Sequence, residues 1–188
     1  GMLGMHGSYE ANNAMHDCDL MINIGARFDD RITGKIDEFS PKSKKVHIDI
    51  DPSSINKNVK VDLPIVGDVT EVITSTIKTI KKVKPNFAKS NKQQISKWWQ
   101  QIQKWRSINS FDFVNSTETI KPQYAVQRLY ELTKNKDTYI TTEVGQHQMW
   151  AAQHYKFDKP NRWMTSGGLG TMGYGLPAAV GVQVAHPN

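Results

Sequence analysis

Residues 166–175, here called the glycine loop, contain the densest group of glycines in the chain. Its glycines stand at positions 167, 168, 170, 173 and 175. Glycine loses more conformational freedom on folding than other residues, so this density indicates backbone that takes positive φ or approaches a ligand closely. The spacing fits neither the Gly-x-Gly-x-x-Gly dinucleotide motif nor a P-loop, which ends in Gly-Lys-Ser/Thr. Taken alone, the loop is better explained as a packed turn with Met172 in the core.

A second candidate site lies about twenty residues upstream, at Val144-Gly145-Gln146-His147. The pattern predicts that a strand ends here and that a helix begins at Gly145. Free N–H groups and the positive end of the helix dipole bind phosphate groups at such a position. The segment therefore indicates a diphosphate site. An ordinary strand-to-helix turn is the alternative, and His147 alone would more often be structural.

A third group of polar residues follows predicted strands in the first half of the chain. It comprises His6-Gly7, residues 25–31 (Gly-Ala-Arg-Phe-Asp-Asp-Arg) and residues 47–51 (His-Ile-Asp-Ile-Asp). The carboxyl ends of parallel strands line the crevice in which nucleotides bind. Carboxylates can accept hydrogen bonds from ribose hydroxyls, and arginine binds phosphate or carboxylate in bidentate fashion. A surface ion-pair cluster of Arg27, Asp29, Asp30 and Arg31 explains the second segment equally well.

Strands and helices are predicted to alternate along the chain. Hydrophobic patterning predicts strands at 20–25, 45–50, 63–66, 138–142 and 162–166, and helices at 9–16, 69–83, 91–106, 122–134, 145–155 and 176–185. Residues 26–41 and 109–121 are expected to be loops. In the helix at 91–106, we expect Ile95, Trp98, Trp99, Ile102 and Trp105 to share one docking face. This order predicts an α/β fold with a parallel sheet, and a second α/β unit that begins near residue 117.

Composition limits the classes of partner. The chain has 188 residues, 38% hydrophobic and 22% charged, without an apolar run near the roughly 20 residues of a membrane span. The lone Cys18 excludes an internal disulfide and fits a reducing cytosol. The net charge of +6 comes mostly from residues 78–106, which hold nine Lys/Arg and no acid. We interpret that segment as a solvated linker and helix face, with no nucleic acid and no membrane as partners.

Five segments, in order, resemble the acetolactate synthase (acetohydroxyacid synthase) catalytic subunits, a family of thiamine-diphosphate enzymes. They are residues 4–7, 25–31, 47–51, 145–153 and 166–179. The resemblance covers nearly the whole chain and implies a fragment of a longer protein. Residues 1–83 would be the C-terminal part of a Rossmann-like central FAD-binding domain. Residues 84–116 would be a linker with a Trp-rich helix, and 117–188 the truncated start of a thiamine-diphosphate-binding domain.

The resemblance also implies the site residues. Thiamine diphosphate would contact Val144, Gly145, Gln146, His147, Gly168, Gly170 and Met172. Met172 would hold the cofactor bent from beneath its thiazolium ring, Gly170 and the Met172 amide would contact the pyrimidine, and Arg31 would bind the second substrate's carboxylate. A mainly structural FAD would contact His6, Gly7, Gly25, Arg27, Asp30, Asp49, Ile50, Asp51 and Asp68. Ligands for magnesium, and the glutamate that activates the aminopyrimidine, would lie outside the chain.

The implied reaction decarboxylates pyruvate and joins the remaining two carbons to pyruvate or 2-oxobutyrate, in valine, leucine and isoleucine biosynthesis. The enzyme would be cytoplasmic, a homodimer or higher oligomer, with a possible small regulatory subunit. The isolated fragment is expected to be inactive. One alternative is another thiamine-diphosphate-dependent 2-oxoacid decarboxylase, carboligase or oxidase. A further alternative is a non-catalytic nucleotide-binding module whose segment 78–106 contacts an acidic partner.

Overall fold

The computed structural model describes residues 1–187, which divide into two compact units. The first is Gly1–Ser110 and the second begins at Phe111. Each unit combines helices with parallel strands, so the predicted α/β fold is confirmed. The domain bounds at 83/84 and 116/117 remain predictions, and Asn188, the last residue of the second predicted domain, lies outside the described residues.

The first unit contains a parallel sheet in the order β1-β2-β3. Its strands are β1 (Leu20–Ile24), β2 (Lys44–Asp49) and β3 (Leu63–Val66). Its helices are α1 (Tyr9–Asp17), α2 (Asp30–Thr33), α3 (Val69–Val83), α4 (Phe87–Ser90) and α5 (Lys92–Arg106), with 3-10 turns at Ile36–Glu38 and Pro52–Ser54. Ile48 pairs with Ile24 on one side and Ile65 on the other. All three strands therefore end at the same edge of the sheet.

The second unit contains two parallel strands with a helix between them in sequence. Its elements are α6 (Pro122–Thr133), β4 (Ile140–Thr142), α7 (Gln146–His154), β5 (Trp163–Thr165) and α8 (Gly175–Ala185). Thr142 pairs with Thr165, so the segments that follow both strands leave the sheet at one edge. These segments are the predicted diphosphate site and the glycine loop.

The stretch predicted as a loop at 26–41 contains α2 and a 3-10 turn, so that prediction was wrong. The Asp29 side chain caps α2 by accepting a hydrogen bond from the Arg31 N–H at 3.0 Å. A helix of four residues is too short to show a 3.6-residue period. Its neighbours Phe28 and Phe39 form the core of the first unit with Val59.

The tryptophans of α5 differ in their exposure. Trp98 and Trp105 meet edge to face with ring centroids 5.7 Å apart, whereas Trp99 is 53% exposed. An apolar stripe on a helix is about 100° wide and includes adjacent residues, so the shared docking face of α5 stays a prediction. An ion pair joins α5 to α1, because Nε of Arg106 lies 3.9 Å from Oε1 of Glu10.

None of the helices within residues 1–187 combines the length and the hydropathy that a membrane crossing requires.

Candidate functional site

The structure brings the two predicted thiamine-diphosphate segments together. Gly170 lies so close to Val144 that a Cβ added to the glycine would be 3.9 Å from Cγ1 of that valine. Glu143, the residue between β4 and Val144, accepts hydrogen bonds from the N–H groups of Gly173 and Gly175. The start of α7 and the glycine loop therefore form one surface at the ends of β4 and β5.

The N-terminus of α7 is open. Gly145 has a φ of +153°, which L side chains rarely adopt, and a Cβ there would be 3.2 Å from the imidazole of His147. In the part of the chain that the structure describes, no side chain caps this helix. The N–H groups of its first turn are therefore available to an anion, and a side chain at residue 145 would crowd the His147 ring.

The glycine loop carries apolar side chains on an exposed backbone. Gly170 and Gly173 have φ values of +66° and +84°, and the Thr171 N–H donates to Oγ of Ser166 at 2.8 Å. Met172 is 82% exposed and Leu169 is 95% exposed. The structure thus places Met172 on the surface rather than in the core, contrary to the packed-turn interpretation. Because Gly168 also has open space around it, the loop leaves room for a ligand against Met172.

Buried polar residues that the sequence analysis did not select hold these elements. Thr142 donates to Oγ1 of Thr165 at 2.7 Å, and Nε2 of Gln148 donates to the same oxygen at 2.7 Å. The indole N–H of Trp163 donates to Oγ1 of Thr142 at 3.2 Å. The network joins β4, β5 and α7 beneath the site. The available sequence signal was a hydroxyl residue at the end of each strand, at Thr142 and Thr165.

Glu143 was also missed. The N–H groups of Gly175 and Gly173, in that order of effect, hold the pKa of Glu143 below its ordinary value. Both carboxylate oxygens are used, because Oε2 accepts from Gly173 at 2.8 Å and Oε1 accepts from Gly175. The sequence signal that could have identified Glu143 is an acidic residue directly after a predicted strand.

The first unit places its predicted residues along the edge at which its strands end. Gly25, with a φ of +61°, follows β1 and donates to the Ile48 carbonyl at 2.9 Å. Phe28 has a φ of +51°, and Nδ2 of Asn58 donates to the carbonyls of Arg27 and Phe28 at 3.1 and 3.0 Å. This clamp fixes the turn that presents the Arg27 side chain to solvent.

The two arginines form exposed ion pairs. Nε of Arg27 lies 3.7 Å from Oδ2 of Asp29, and Nη1 of Arg31 lies 3.4 Å from Oδ2 of Asp30. Exposed pairs of this kind contribute about 0–1 kcal/mol, so both guanidinium groups can exchange their partner for a ligand. The geometry is compatible with the ion-pair interpretation and with ligand binding.

The residues that precede the His6-Gly7 segment are packed against the backbone of α2. The Met5 N–H donates to the Arg31 carbonyl at 2.9 Å, and a Cβ at Gly4 would lie 2.3 Å from that same oxygen. Gly7 is equally confined, because its Cβ would lie 2.4 Å from the Met2 carbonyl oxygen. Glycine is required at positions 4 and 7, because a side chain at either would overlap a backbone carbonyl oxygen.

The predicted acids at the strand ends also shape turns. Asp49 accepts from the Asp51 N–H at 2.9 Å, and Asp68 caps α3 by accepting from the N–H groups of Thr70 and Glu71. Hydrogen bonds from the Ser53 N–H and hydroxyl lower the pKa of Asp51. Ile50, between the first two acids, is 70% exposed. Within residues 1–187, no cluster of three or more His, Cys, Asp or Glu residues is placed to hold a metal ion.

Two family models match the chain. One, "Thiamine pyrophosphate enzyme, central domain", covers residues 1–76, and the other, "Thiamine pyrophosphate enzyme, C-terminal TPP binding domain", covers residues 143–188. The matched ranges contain the strand-end residues of the first unit and the glycine-loop site of the second.

The chain is also similar to curated proteins over its whole length. It is 49% identical over 187 residues to the "Acetolactate synthase isozyme 3 large subunit" of Escherichia coli K12, covering 100% of this chain and 32% of that protein. It is 50% identical over 186 residues to the "Acetolactate synthase large subunit" of Buchnera aphidicola subsp. Schizaphis graminum, covering 99% and 31%. The Porphyra purpurea protein of the same name is 50% identical over 188 residues, covering 100% and 31%. The chain thus spans about a third of the length of these relatives.

Proposed function

We propose that the chain forms part of an acetolactate synthase large subunit, among the thiamine pyrophosphate enzymes whose central and TPP-binding domain models match its residues 1–76 and 143–188. The whole protein would decarboxylate pyruvate and transfer the two-carbon unit to pyruvate or 2-oxobutyrate. The observation that carries the proposal is about 50% identity, along the entire chain, to proteins that bear this name. The site geometry supports it, because an open helix start and an exposed apolar loop lie side by side.

Thiamine diphosphate, when bound, supplies the carbon centre that accepts the electron pair released on decarboxylation of a 2-oxoacid. The chain's own residues would bind and orient it. The N–H groups at the start of α7, from Gly145 to His147, would bind the diphosphate. Gly168 and Gly170 would allow close backbone approach, with the Gly170 backbone and the Met172 amide contacting the pyrimidine edge. The Met172 side chain would support the bend, for which its 82% exposure leaves it available.

We further propose FAD and magnesium as cofactors of the whole protein. FAD would lie along the strand ends of the first unit, with Arg27 near its phosphates and Asp49, Asp51 and Asp68 near its hydroxyl groups. Magnesium ligands are expected outside the described residues. The proposal also includes a cytoplasmic homodimer or higher oligomer, with a possible regulatory subunit and without nucleic acid or membrane partners.

The whole protein tests this function. We expect the purified full-length protein to form acetolactate from pyruvate when thiamine diphosphate, magnesium and FAD are supplied, and to carry a flavin absorbance spectrum. The isolated 188 residues should form none. A full-length protein that releases acetaldehyde or consumes oxygen without forming acetolactate would favour the decarboxylase or oxidase alternative. Acetolactate formation by the isolated chain would contradict the proposal that its catalytic parts lie outside these residues.

Arg31 gives a separate test of substrate binding. We expect Arg31→Ala in the full-length enzyme to raise the KM for the acceptor 2-oxoacid by about tenfold, because a charge-assisted bond to its carboxylate is lost. The cofactor Kd should not change. Steady-state rates at varied 2-oxobutyrate check this, with Arg128→Ala, which removes an exposed arginine of α6, as the matched control. An unchanged acceptor KM would remove Arg31 from the substrate site.

A further inference from the structure

We propose that Glu143 is a positioning residue that holds the glycine loop in its cofactor-binding shape. This inference rests on the proposed function, since it concerns the same site. Glu143 contacts no substrate in the proposal. It acts through the backbone of the loop that carries Met172.

The hydrogen bonds of Glu143 join distant parts of the second unit. Its carboxylate accepts from Gly173 and Gly175, which follow it by 30 and 32 residues. An ionised carboxylate makes stronger hydrogen bonds to backbone N–H groups than a neutral acceptor does. Glu143 is ionised at neutral pH, and these hydrogen bonds hold its pKa below the ordinary value. The residues on either side of Tyr174 are therefore fixed to the end of β4, and Met172 directly precedes this attachment.

The same contacts distinguish the two helix N-termini of the site. The Glu143 carboxylate occupies the N–H of Gly175, which is the first residue of α8. No described side chain caps α7. The N–H at the start of α8 is therefore already bonded to a carboxylate, whereas no described side chain bonds to the first turn of α7. Glu143 thus ties the start of α8 to the end of β4.

The test compares Glu143→Gln with Glu131→Gln in the full-length protein. Glutamine keeps the length of the side chain but offers one acceptor oxygen instead of two. Glu131 is the matched control, because it is an exposed glutamate of α6 in the same unit that pairs with Arg128. Hydrogen exchange of the cofactor-free protein is measured by mass spectrometry on peptides that span the glycine loop. Thiamine diphosphate binding is measured by quenching of tryptophan fluorescence, and kcat at saturating cofactor.

We expect Glu143→Gln to accelerate exchange in the glycine loop and to raise the thiamine diphosphate Kd by about tenfold. The kcat at saturating cofactor should stay within about twofold, because bound cofactor restores the loop. Glu131→Gln should match the wild type in all three measurements. Glu143→Asp, which keeps the charge on a shorter side chain, should give an intermediate Kd and serves if the glutamine variant does not fold.

Unchanged exchange in the glycine loop of Glu143→Gln would overturn the inference. Tighter cofactor binding would also overturn it, because removal of negative charge near the diphosphate would then outweigh loss of the attachment. A wild-type protein that fails to bind thiamine diphosphate would instead contradict the proposed function. The exchange measurement needs no cofactor, so the two failures are distinguishable.

Discussion

Met172→Ala in the full-length enzyme is expected to lower kcat by about a hundredfold, a loss of about 2.7 kcal/mol in transition-state stabilisation. The Kd for thiamine diphosphate should rise by less than about tenfold, because the diphosphate contacts at α7 are kept. Met172 is 82% exposed in the chain, so truncation creates no cavity in the core. The expected loss thus comes from a cofactor that is bound in the wrong shape. Rates at saturating cofactor give kcat, and fluorescence titration gives the Kd for thiamine diphosphate.

Two further variants make the Met172 prediction specific. Met172→Leu keeps the volume and apolar character of the side chain and should retain most of the activity. Val184→Ala removes a side chain of α8 that is 78% exposed and should leave kcat and the cofactor Kd unchanged. If Met172→Ala turns over at the wild-type rate, the side chain does not support the reactive shape of the cofactor. A raised cofactor Kd with unchanged kcat at saturating cofactor would assign Met172 to affinity instead.

Regular elements were predictable where local periodicity is long enough to read. The strand Leu63–Val66 and the helix Val69–Val83 have the bounds that the sequence predicted, because a short apolar run and a repeated apolar stripe are local patterns. The short helix Asp30–Thr33 was missed, since its stability comes from the Asp29 cap and from packing of its neighbours. Local patterning carries no information on such tertiary support.

The site was predictable as two segments but not as a connected structure. The open start of α7 and the glycine-rich backbone follow from glycine positions in the sequence. The attachment of the loop by Glu143 spans 30 residues or more, and the Thr142–Thr165 bond spans 23. Such contacts depend on strand register, which the sequence alone left open. The turn-forming roles of Asp49 and Asp68 were hidden for the same reason, since an acid at a strand end suits a cap and a ligand equally.

Substitution by alanine should lower the Tm at one glycine of α8 but not at the other. Gly175 is buried, and a Cβ there would lie 2.8 Å from the backbone N and 3.1 Å from Cγ of Glu143. Alanine must therefore displace the end of β4 or the start of α8, at a cost of about 1–3 kcal/mol for an overpacked site. We expect Gly175→Ala to lower the Tm of the full-length protein by about 2–12 °C, at roughly 2–4 °C per kcal/mol for a larger domain. Its cofactor Kd should rise, because the displaced residues adjoin Met172.

Gly181 provides the matched control on the same helix. No atom lies within 4 Å of a Cβ built at this position, outside the helix's own backbone and its chain neighbours, among the residues that the structure describes. Alanine in a helix interior is favoured over glycine by about 0.8–1.0 kcal/mol, so Gly181→Ala should leave the Tm unchanged or raise it. Thermal melts of both variants with and without thiamine diphosphate check the difference. Equal changes in Tm for the two variants would mean that the close contact with Glu143 does not require glycine at position 175.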